Sequence, residues 1–328
     1  MADVYLVLDE SGAKGFAKNS EGFEGELGVI AGYFVRAKHI DRVRQDFETI
    51  RDELSVPAGT KSHVTELNVE QQQLARRKVF DYLLDREMSP IYEATYVQGL
   101  HDATKRLNEI STNALEARRS DVRISHRPEN ERLLSVMFQM IFGKAAAYAV
   151  DYFGKNVTLQ IIMDRTDSGL LREFREKATE FLDAGKPKQR ELTGYDVVRK
   201  AKVTETATIQ VAGPDVDRAL GDFRAFSYDI SCEDSGLTFA ADIISNSIRH
   251  HLSKKAGQGV PVDLNAKEAI SGHKLEHLFY GLSDGRTFES LTDIMYRHPK
   301  GNRQDPAAQS ADVTDRRESS QAGSGSRS

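Results

Sequence analysis

An apolar run that ends in two carboxylates, near the start of the chain, constrains the fold more than any other feature of the sequence. Val4 to Leu8 is apolar without alternation, and Asp9, Glu10, Ser11 and Gly12 follow it. Such a run is typical of a strand that is covered on both faces, as in the centre of an α/β sheet. Ligands in these sheets bind beyond the carboxyl ends of the strands, so this stretch is a place where chemistry is expected. The alternative is a simple turn, because Asp, Ser and Gly are common turn residues.

The same pattern recurs in the middle of the chain. Val157 to Met163 is again mainly apolar, and Asp164, Asp167, Ser168 and Gly169 follow it before an amphipathic helix. Either Asp167 or Ser168 is suited to cap that helix, because these side chains accept hydrogen bonds from the free N–H groups at a helix start. Asp164 has no such structural role. It is therefore the stronger candidate for chemistry.

A third acid is predicted to lie on a late helix. The apolar positions of this helix have the spacing of one buried stripe: Leu237, Ala241, Ile244, Ile248 and Leu252. Asp242 lies beside the stripe, on a polar face that also carries Arg249. Because a buried unpaired charge costs a large free energy, Asp242 is either partly exposed or directed at a cation.

Other segments predict the elements around these acids. Alternating or apolar runs predict strands at Leu27 to Val35 and Pro90 to Val97. Apolar residues three and four apart predict helices at His39 to Leu54 and Gln71 to Leu84. The first predicted strand and the one at Leu27 form a hairpin-like pair. Strands and helices in this mixture predict an α/β fold.

Asp9, Asp164 and Asp242 can act together if neighbouring strands bring the first two side by side and the late helix packs across them. Carboxylates within a few Å of each other raise each other's pKa unless a cation lies among them. Mg²⁺ and Mn²⁺ suit a small set of carboxylate oxygens completed by water. Two such ions about 3.5–4 Å apart can activate a water and stabilise the leaving oxygen in phosphodiester hydrolysis. The three acids therefore predict a metal-dependent hydrolase of phosphodiesters.

Three motifs carry a resemblance that points the same way: VLDESG near the start, IIMDRTDSG in the middle and DSGLTFAADII near the end. They resemble the signatures of the domain-of-unknown-function family 3800, whose members are similar to ribonuclease H-like nucleases. The resemblance spans Tyr5 to Ile248. It implies an RNase H-like mixed central sheet flanked by helices, and a nucleic acid substrate. It also implies Asp9, Asp164 and Asp242 as catalytic acids and ligands of Mg²⁺ or Mn²⁺, with Glu10 in the same catalytic motif.

Two segments match that family less closely. Relatives often have Gln, an aliphatic residue and Ala before the late acid, whereas this chain has Phe239 to Ala241 before Asp242. The acid of the family pattern is therefore present as Asp242, but the Gln, and with it any contact through that side chain, is absent. Lys61, His63 and Glu66 lie where relatives tend to have a basic or histidine-containing segment. The resemblance there implies Lys61 and His63 as substrate contacts and Glu66 as a further catalytic acid.

Two further segments carry an excess of positive charge. The segment from Arg118 to Arg127 has four arginines. Arg118 and Arg119 are predicted to bind substrate, because guanidinium groups match phosphate oxygens. The alternative is a solvated loop between two helices. Gly185 to Lys202 is a second basic segment, predicted to be a glycine-containing connection.

The composition limits the class of protein. With 328 residues, 39% of them hydrophobic, the chain can form a substantial core. We expect one RNase H-like domain over residues 1–300, with a helical and partly basic insertion around 99–153. A disordered tail is expected over 301–328, which has no aromatic residue. The net charge of −5 argues against a generally basic nucleic-acid coat.

The sequence also favours a cytoplasmic protein without a membrane role. Cys232 is the single cysteine, so no internal disulfide can form. Ser135 to Val150 is apolar but interrupted by Lys144, which predicts a buried helix. His273 and His277 are four residues apart without the HExxH order, so exposed or capping histidines are expected.

Two functions are compatible with these features. The first is a nuclease, serving in defence against foreign nucleic acid or in a toxin-like role. The alternative is a non-catalytic member of the same fold that binds nucleic acid or a protein. A serine hydrolase is weakly supported, because Ser11 and Ser168 lack the G-x-S-x-G pattern.

Overall fold

A computed structural model describes residues 3–14, 21–54, 63–118, 122–124, 132–164, 167–184, 186, 188–209, 223–256, 269–279, 292–294 and 298. Within these residues the chain has an α/β fold, in which helices flank a mixed sheet. The tail expected to be disordered, residues 301–328, lies outside the described residues.

The strands form two sheets. The described residues contain these strands: β1 Val4–Gly12, β2 Leu27–Arg36, β3 Pro90–Tyr96, β4 Val122–Ile124, β5 Thr158–Met163, β6 Lys188–Asp196, β7 Ala201–Ile209, β8 Ser227–Cys232 and β9 Thr292–Ile294. The main sheet has the order β8-β5-β1-β2-β3-β9. β1, β2 and β3 are antiparallel neighbours, whereas β5 is parallel to β1 and β8 is parallel to β5. The unbroken apolar run of β1 is therefore explained by a central position with both faces covered.

Helices cover both faces of this sheet. They are α1 Ile40–Glu53, α2 Val69–Asp85, α3 Val97–Arg118, α4 Leu133–Phe153, α5 Ser168–Leu182 and α6 Gly236–Ala256. One core cluster joins α1, α2 and α6 to one face of the sheet. The second joins α4 and α5 to the other face. The predicted hairpin pair and the helices near residues 40 and 71 are confirmed.

The start of α6 is fixed against α1 and the sheet. Its first residue, Gly236, donates its N–H to the Glu48 carboxylate of α1 at 2.5 Å. A Cβ on Gly236 would collide with the α1 backbone at Glu48, so glycine permits this close approach. The Tyr33 hydroxyl of β2 donates to the Leu237 carbonyl at 3.0 Å. These contacts set the position of α6 across the central strands.

The helix α4 is a core helix of this fold. By length and composition alone it could cross a membrane, with a mean hydropathy of 1.5, but 89% of that window is buried inside the protein. Lys144 is buried within it, and its Nζ lies 2.6 Å from Glu93 Oε2 on β3. This ion pair matters because burying an ammonium group without a partner would cost a desolvation free energy of several kcal/mol.

The second sheet corrects one prediction from the sequence. It has the order β4-β6-β7, with both pairs antiparallel. The segment from Gly185 to Lys202 was expected to be a connection, and most of it is instead β6 and the start of β7. The expectation was wrong because the segment was judged by its charge, while strand pairing over residues 188–209 decides its structure.

His277 is exposed, as predicted, whereas His273, which follows α6, is buried. The Nδ1 of His273 accepts a hydrogen bond from the Leu275 N–H at 3.2 Å, and its Nε2 lies 3.0 Å from the Ser247 hydroxyl. Burial and the neighbouring His251 lower the pKa of His273 to about 4. The imidazole is therefore neutral near pH 7.

Acidification should destabilise the protein through His273. Its pKa is near 6.5 in the unfolded chain and about 4 in the folded protein, so the unfolded state binds the proton first. The free energy of unfolding then falls by about 1.4 kcal/mol per pH unit from pH 6.5 down to 4, and is unaffected above 6.5. Urea unfolding at pH 7 and pH 5 measures this loss, which should be about 2 kcal/mol smaller in His273→Gln. Equal losses in the two proteins would contradict the burial of a neutral imidazole.

Candidate functional site

The pairing of β1 with β5 places Asp9 and Asp164 side by side. Leu8 pairs with Met163 in this parallel register, and Asp9 and Asp164 are the next residues of the two segments. Leu8 and Met163 belong to the core beneath α4 and α5. Because successive side chains on a strand point to opposite faces, Asp9 is directed to the face that α6 covers.

The opening motif continues as a strand and does not form a turn. Asp9 pairs with Ala31 of β2, Glu10 pairs with Ile30, and the pairing extends to Gly12. The turn alternative is therefore wrong. Pairing with β2 over the whole length of β1 satisfies the backbone here, so the residues that favour turns remain extended.

Asp9 is the most buried carboxyl group of the site, with 4% of the residue exposed. The Ser245 hydroxyl of α6 donates to its Oδ2 at 3.3 Å. Burial raises the pKa of Asp9 well above its usual value, and the carboxylates of Glu10, Asp242 and Asp164 raise it further. The charged form of Asp9 is therefore unfavourable in the folded protein without a cation beside it.

Asp242 faces Asp9 from α6. Its Oδ2 accepts a hydrogen bond of 2.6 Å from the Val64 N–H, and His63 Nδ1 lies 3.8 Å from the same oxygen. Burial raises the pKa of Asp242, and Asp164 adds to this, while the bonds from Val64 and Asp9 and the charge of His63 act in the opposite direction. Burial and the neighbouring carboxylates thus favour the protonated forms of both Asp9 and Asp242.

We define the acidic centre as Asp9, Asp164 and Asp242. Its donors are hard carboxylate oxygens, the ligand type that Mg²⁺ and Mn²⁺ prefer. Burial and mutual repulsion raise the pKa of Asp9, as expected where carboxylates are gathered for a cation. Across the described ranges, no three Asp, Glu, His or Cys side chains already form a metal-ligand group. The chemistry of the centre fits a divalent ion, and binding it would require the carboxyl groups to lose their protons and rotate toward the ion.

Two acids predicted to be catalytic lie outside the acidic centre. Glu10 alternates with Asp9 along β1, and its carboxylate lies 2.7 Å from Lys14 Nζ. Glu66 is exposed, and its Oε2 accepts a bond from the His63 N–H at 3.3 Å. The side chain of Glu66 thereby caps its own 3-10 turn, Val64–Glu66. Among the neighbouring carboxylates, Glu10 has the largest effect on the pKa of Asp9. Catalytic roles for Glu10 and Glu66 stay predictions.

Basic side chains adjoin the acidic centre, and sequence reasoning did not assign them to it. Arg249 lies two turns after Asp242 on α6, and its Nε donates to the Ser11 hydroxyl at 3.1 Å. Arg76 of α2 donates to Asn246 Oδ1 at 3.0 Å. The seven-residue spacing from Asp242 to Arg249 was a usable signal. No sequence signal predicts Arg76, because the packing of α2 against α6 brings it there.

The predicted substrate contacts are only partly described. His63 lies at the acidic centre and is half-buried. Lys61 and Arg119 lie outside the described residues. Arg118 is the last residue of α3, and its side chain is also outside what the structure describes. Contact of these basic residues with a substrate stays a prediction.

Comparison with known proteins gives no match: neither a protein-family model, nor a curated protein, nor a solved structure is similar to the chain. Membership of the family that the three motifs resemble therefore stays a prediction from those motifs. The function has to be argued from the acidic centre itself.

Proposed function

We propose that the protein is a nuclease, a phosphodiester hydrolase that depends on Mg²⁺ or Mn²⁺ held by Asp9, Asp164 and Asp242. The observation that carries the proposal is that three segments remote in sequence converge. The register of β1 and β5 sets Asp9 beside Asp164, and the Ser245 hydroxyl of α6, one turn after Asp242, donates to Asp9. The raised pKa of Asp9 agrees with this convergence. The strand order and the flanking helices are consistent with an RNase H-like core.

The residues of the chain have separable roles in this proposal. A bound divalent ion would supply an activated water and would stabilise the leaving oxygen. Ser245 and the Val64 N–H orient the carboxyl groups of Asp9 and Asp242, and such outer contacts fix ligand geometry. Arg249 supplies positive charge beside the centre, where a phosphate of the substrate would lie.

A non-catalytic binding protein is the alternative function. The raised pKa values of Asp9 and Asp242 favour it, because protonated carboxyl groups can lie close together without a metal ion. The two functions differ in whether Mn²⁺ displaces protons from these groups and whether phosphodiester bonds are then cut.

A substrate panel tests the proposed function directly. Labelled single-stranded RNA, single-stranded DNA, duplex DNA and an RNA–DNA hybrid are incubated with the protein in Mn²⁺ or in EDTA. We expect cleavage of at least one substrate in Mn²⁺ and none in EDTA or with the Asp9→Asn, Asp164→Asn double variant. Cleavage that survives the double substitution would overturn the proposal. Binding of Mn²⁺ by calorimetry without cleavage of any substrate would favour the alternative.

Arg249 should contribute to substrate binding more than to the chemical step. Removing its charge in Arg249→Gln should raise KM about tenfold, because a hydrogen bond to a charged phosphate contributes about 1.5–3 kcal/mol. Initial rates over a range of oligonucleotide concentrations separate KM from kcat. Arg172→Gln is a matched control, since the Arg172 side chain is 76% exposed on α5. If the two variants have the same KM, Arg249 does not contact the substrate.

A further inference from the structure

The small sheet joins the two basic segments of the sequence into one surface. Strand β4 belongs to the arginine-rich segment, and β6 belongs to the basic segment that follows α5. In the register of the sheet, Arg123 of β4 pairs with Tyr195 of β6, and Tyr195 pairs with Lys202 of β7. Paired residues of antiparallel strands share a face. An aromatic residue is therefore flanked by two basic positions across the three strands.

One face of this sheet is covered and the other is open. Gly194 and Asp196 are buried, and they alternate with Tyr195 along β6. On the opposite face Thr193, Tyr195 and Lys202 are exposed, and 45% of Tyr195 is accessible. We name this open side, defined by positions 123, 195 and 202, the Tyr195 face. Tyr195 is thus an exposed aromatic ring that shares the face with the basic position Lys202.

The loop between β6 and β7 adds positive charge at the same end of the sheet. The Asp196 carboxylate is buried and accepts the N–H groups of Val198 and Arg199 at 3.0 and 2.8 Å, which fixes the loop. The Arg199 side chain is 79% exposed, and Lys200 follows it with a φ of 53°. Arg199 Nε also lies 3.9 Å from Asp196 Oδ2, so its charge is partly offset. The loop presents Arg199 and Lys200 to solvent next to Tyr195 and Lys202, together with the exposed side chains of Val197 and Val198.

We propose that the Tyr195 face binds single-stranded nucleic acid, with a base stacked on Tyr195 and the adjoining phosphates against the basic positions. Aromatic residues interleaved with Lys and Arg are the general chemistry of such binding, since every base has a π-face and every linkage has a charge. The charge complementarity favours a polyanion over a protein partner. By strand register, Glu191 is the acidic position on this face among the described residues of the three strands, four positions from Tyr195 along β6. The inference rests on the proposed function for its choice of polymer, and it adds a binding surface separate from the acidic centre.

The absence of tryptophan from the chain makes stacking directly measurable. Tyr195→Trp introduces a single tryptophan on the Tyr195 face, and Tyr152→Trp introduces one on α4, where Tyr152 is similarly exposed at 49%. Both variants are titrated with twelve-residue oligo(dT) and oligo(rU) in EDTA, so that no cleavage occurs. We expect saturable quenching of tryptophan fluorescence in Tyr195→Trp and none in Tyr152→Trp.

Affinities measured by anisotropy of fluorescein-labelled oligonucleotides complete the test. Tyr195→Ala should weaken binding about tenfold, because stacking of one base contributes about 1–3 kcal/mol, and Tyr195→Phe should restore it. Lys202→Glu should weaken binding and lower its salt dependence, whereas Lys38→Glu, an exposed lysine outside the sheet, should not. Circular dichroism checks that each variant is folded.

The outcomes separate this inference from the proposed function. The proposal that the Tyr195 face binds nucleic acid is wrong if Tyr195→Ala and Tyr152→Ala bind single strands with equal affinity. It is also wrong if the wild-type protein binds no single strands. A protein that binds single strands through Tyr195 but cuts nothing in Mn²⁺ would support the face and overturn the nuclease. Cleavage with wild-type KM in Tyr195→Ala would leave the nuclease intact and overturn the face.

Discussion

Asp164→Asn is expected to lower Mn²⁺-dependent cleavage by about 10³-fold, with the same loss for Asp242→Asn. A carboxylate that holds the ion stabilises developing charge in the transition state by several kcal/mol, and each 1.4 kcal/mol is about tenfold in rate. Asp164 lies beside Asp9 through the register of β1 and β5, and its charge acts on both Asp9 and Asp242. Single-turnover cleavage of the best substrate from the panel measures the loss.

Three other acids are controls for this prediction. Glu10→Gln and Glu66→Gln should lower the rate by less than about fivefold, because one carboxylate is paired with Lys14 and the other caps its own turn. Asp41→Asn, at a side chain that is 95% exposed, should have no effect. A loss at Glu66 as large as that at Asp164 would contradict the three-acid centre and restore the fourth acid that the sequence predicted.

Asp9→Asn should make the protein more stable in EDTA while it removes activity. The folded-state pKa of Asp9 is raised above its unfolded value, so the stability that its proton provides is present at low pH and is lost as the pH rises through the folded pKa. Asparagine keeps a neutral group at all pH values. At pH 8 we expect the melting temperature of Asp9→Asn to exceed that of the wild type by about 3 °C, or about 1 kcal/mol.

Mn²⁺ should reverse that order of stability. An ion that binds only the folded protein stabilises it by about 2.7 kcal/mol at a concentration of 100 times its Kd, and Asp9→Asn should lose most of this gain. Scanning calorimetry at pH 5 and pH 8, with EDTA or Mn²⁺, gives both results, and Asp41→Asn serves as the neutral control. If the wild-type protein is more stable than Asp9→Asn in EDTA at pH 8, the charged Asp9 carboxylate does not destabilise the folded protein.

The sequence predicted the central part of the fold because local pattern and tertiary position agree there. The apolar run of β1 has no polar alternation, as a strand covered by helices on both faces requires. The recurrence of the pattern at β5 put Asp164 at a strand end. The geometry then follows from parallel pairing, which sets Asp9 and Asp164 at adjacent positions.

Contacts between distant segments could not be predicted in this way. Glu66 was assigned as a catalytic acid from the resemblance of its segment to the family, and nothing in the sequence indicates that its side chain bonds within its own turn. Arg76 reaches Asn246 through helix packing, and the pairing of Arg123 with Tyr195 joins segments about 70 residues apart. Such pairings depend on the whole fold and leave no periodic trace in either segment.

The central claim is that divalent ions bind among Asp9, Asp164 and Asp242, and a Mn²⁺-soaked crystal tests it most directly. An anomalous-scattering map should show a peak about 2.0–2.4 Å from carboxylate oxygens of all three residues. A map without a peak at this centre at saturating Mn²⁺ would contradict the account.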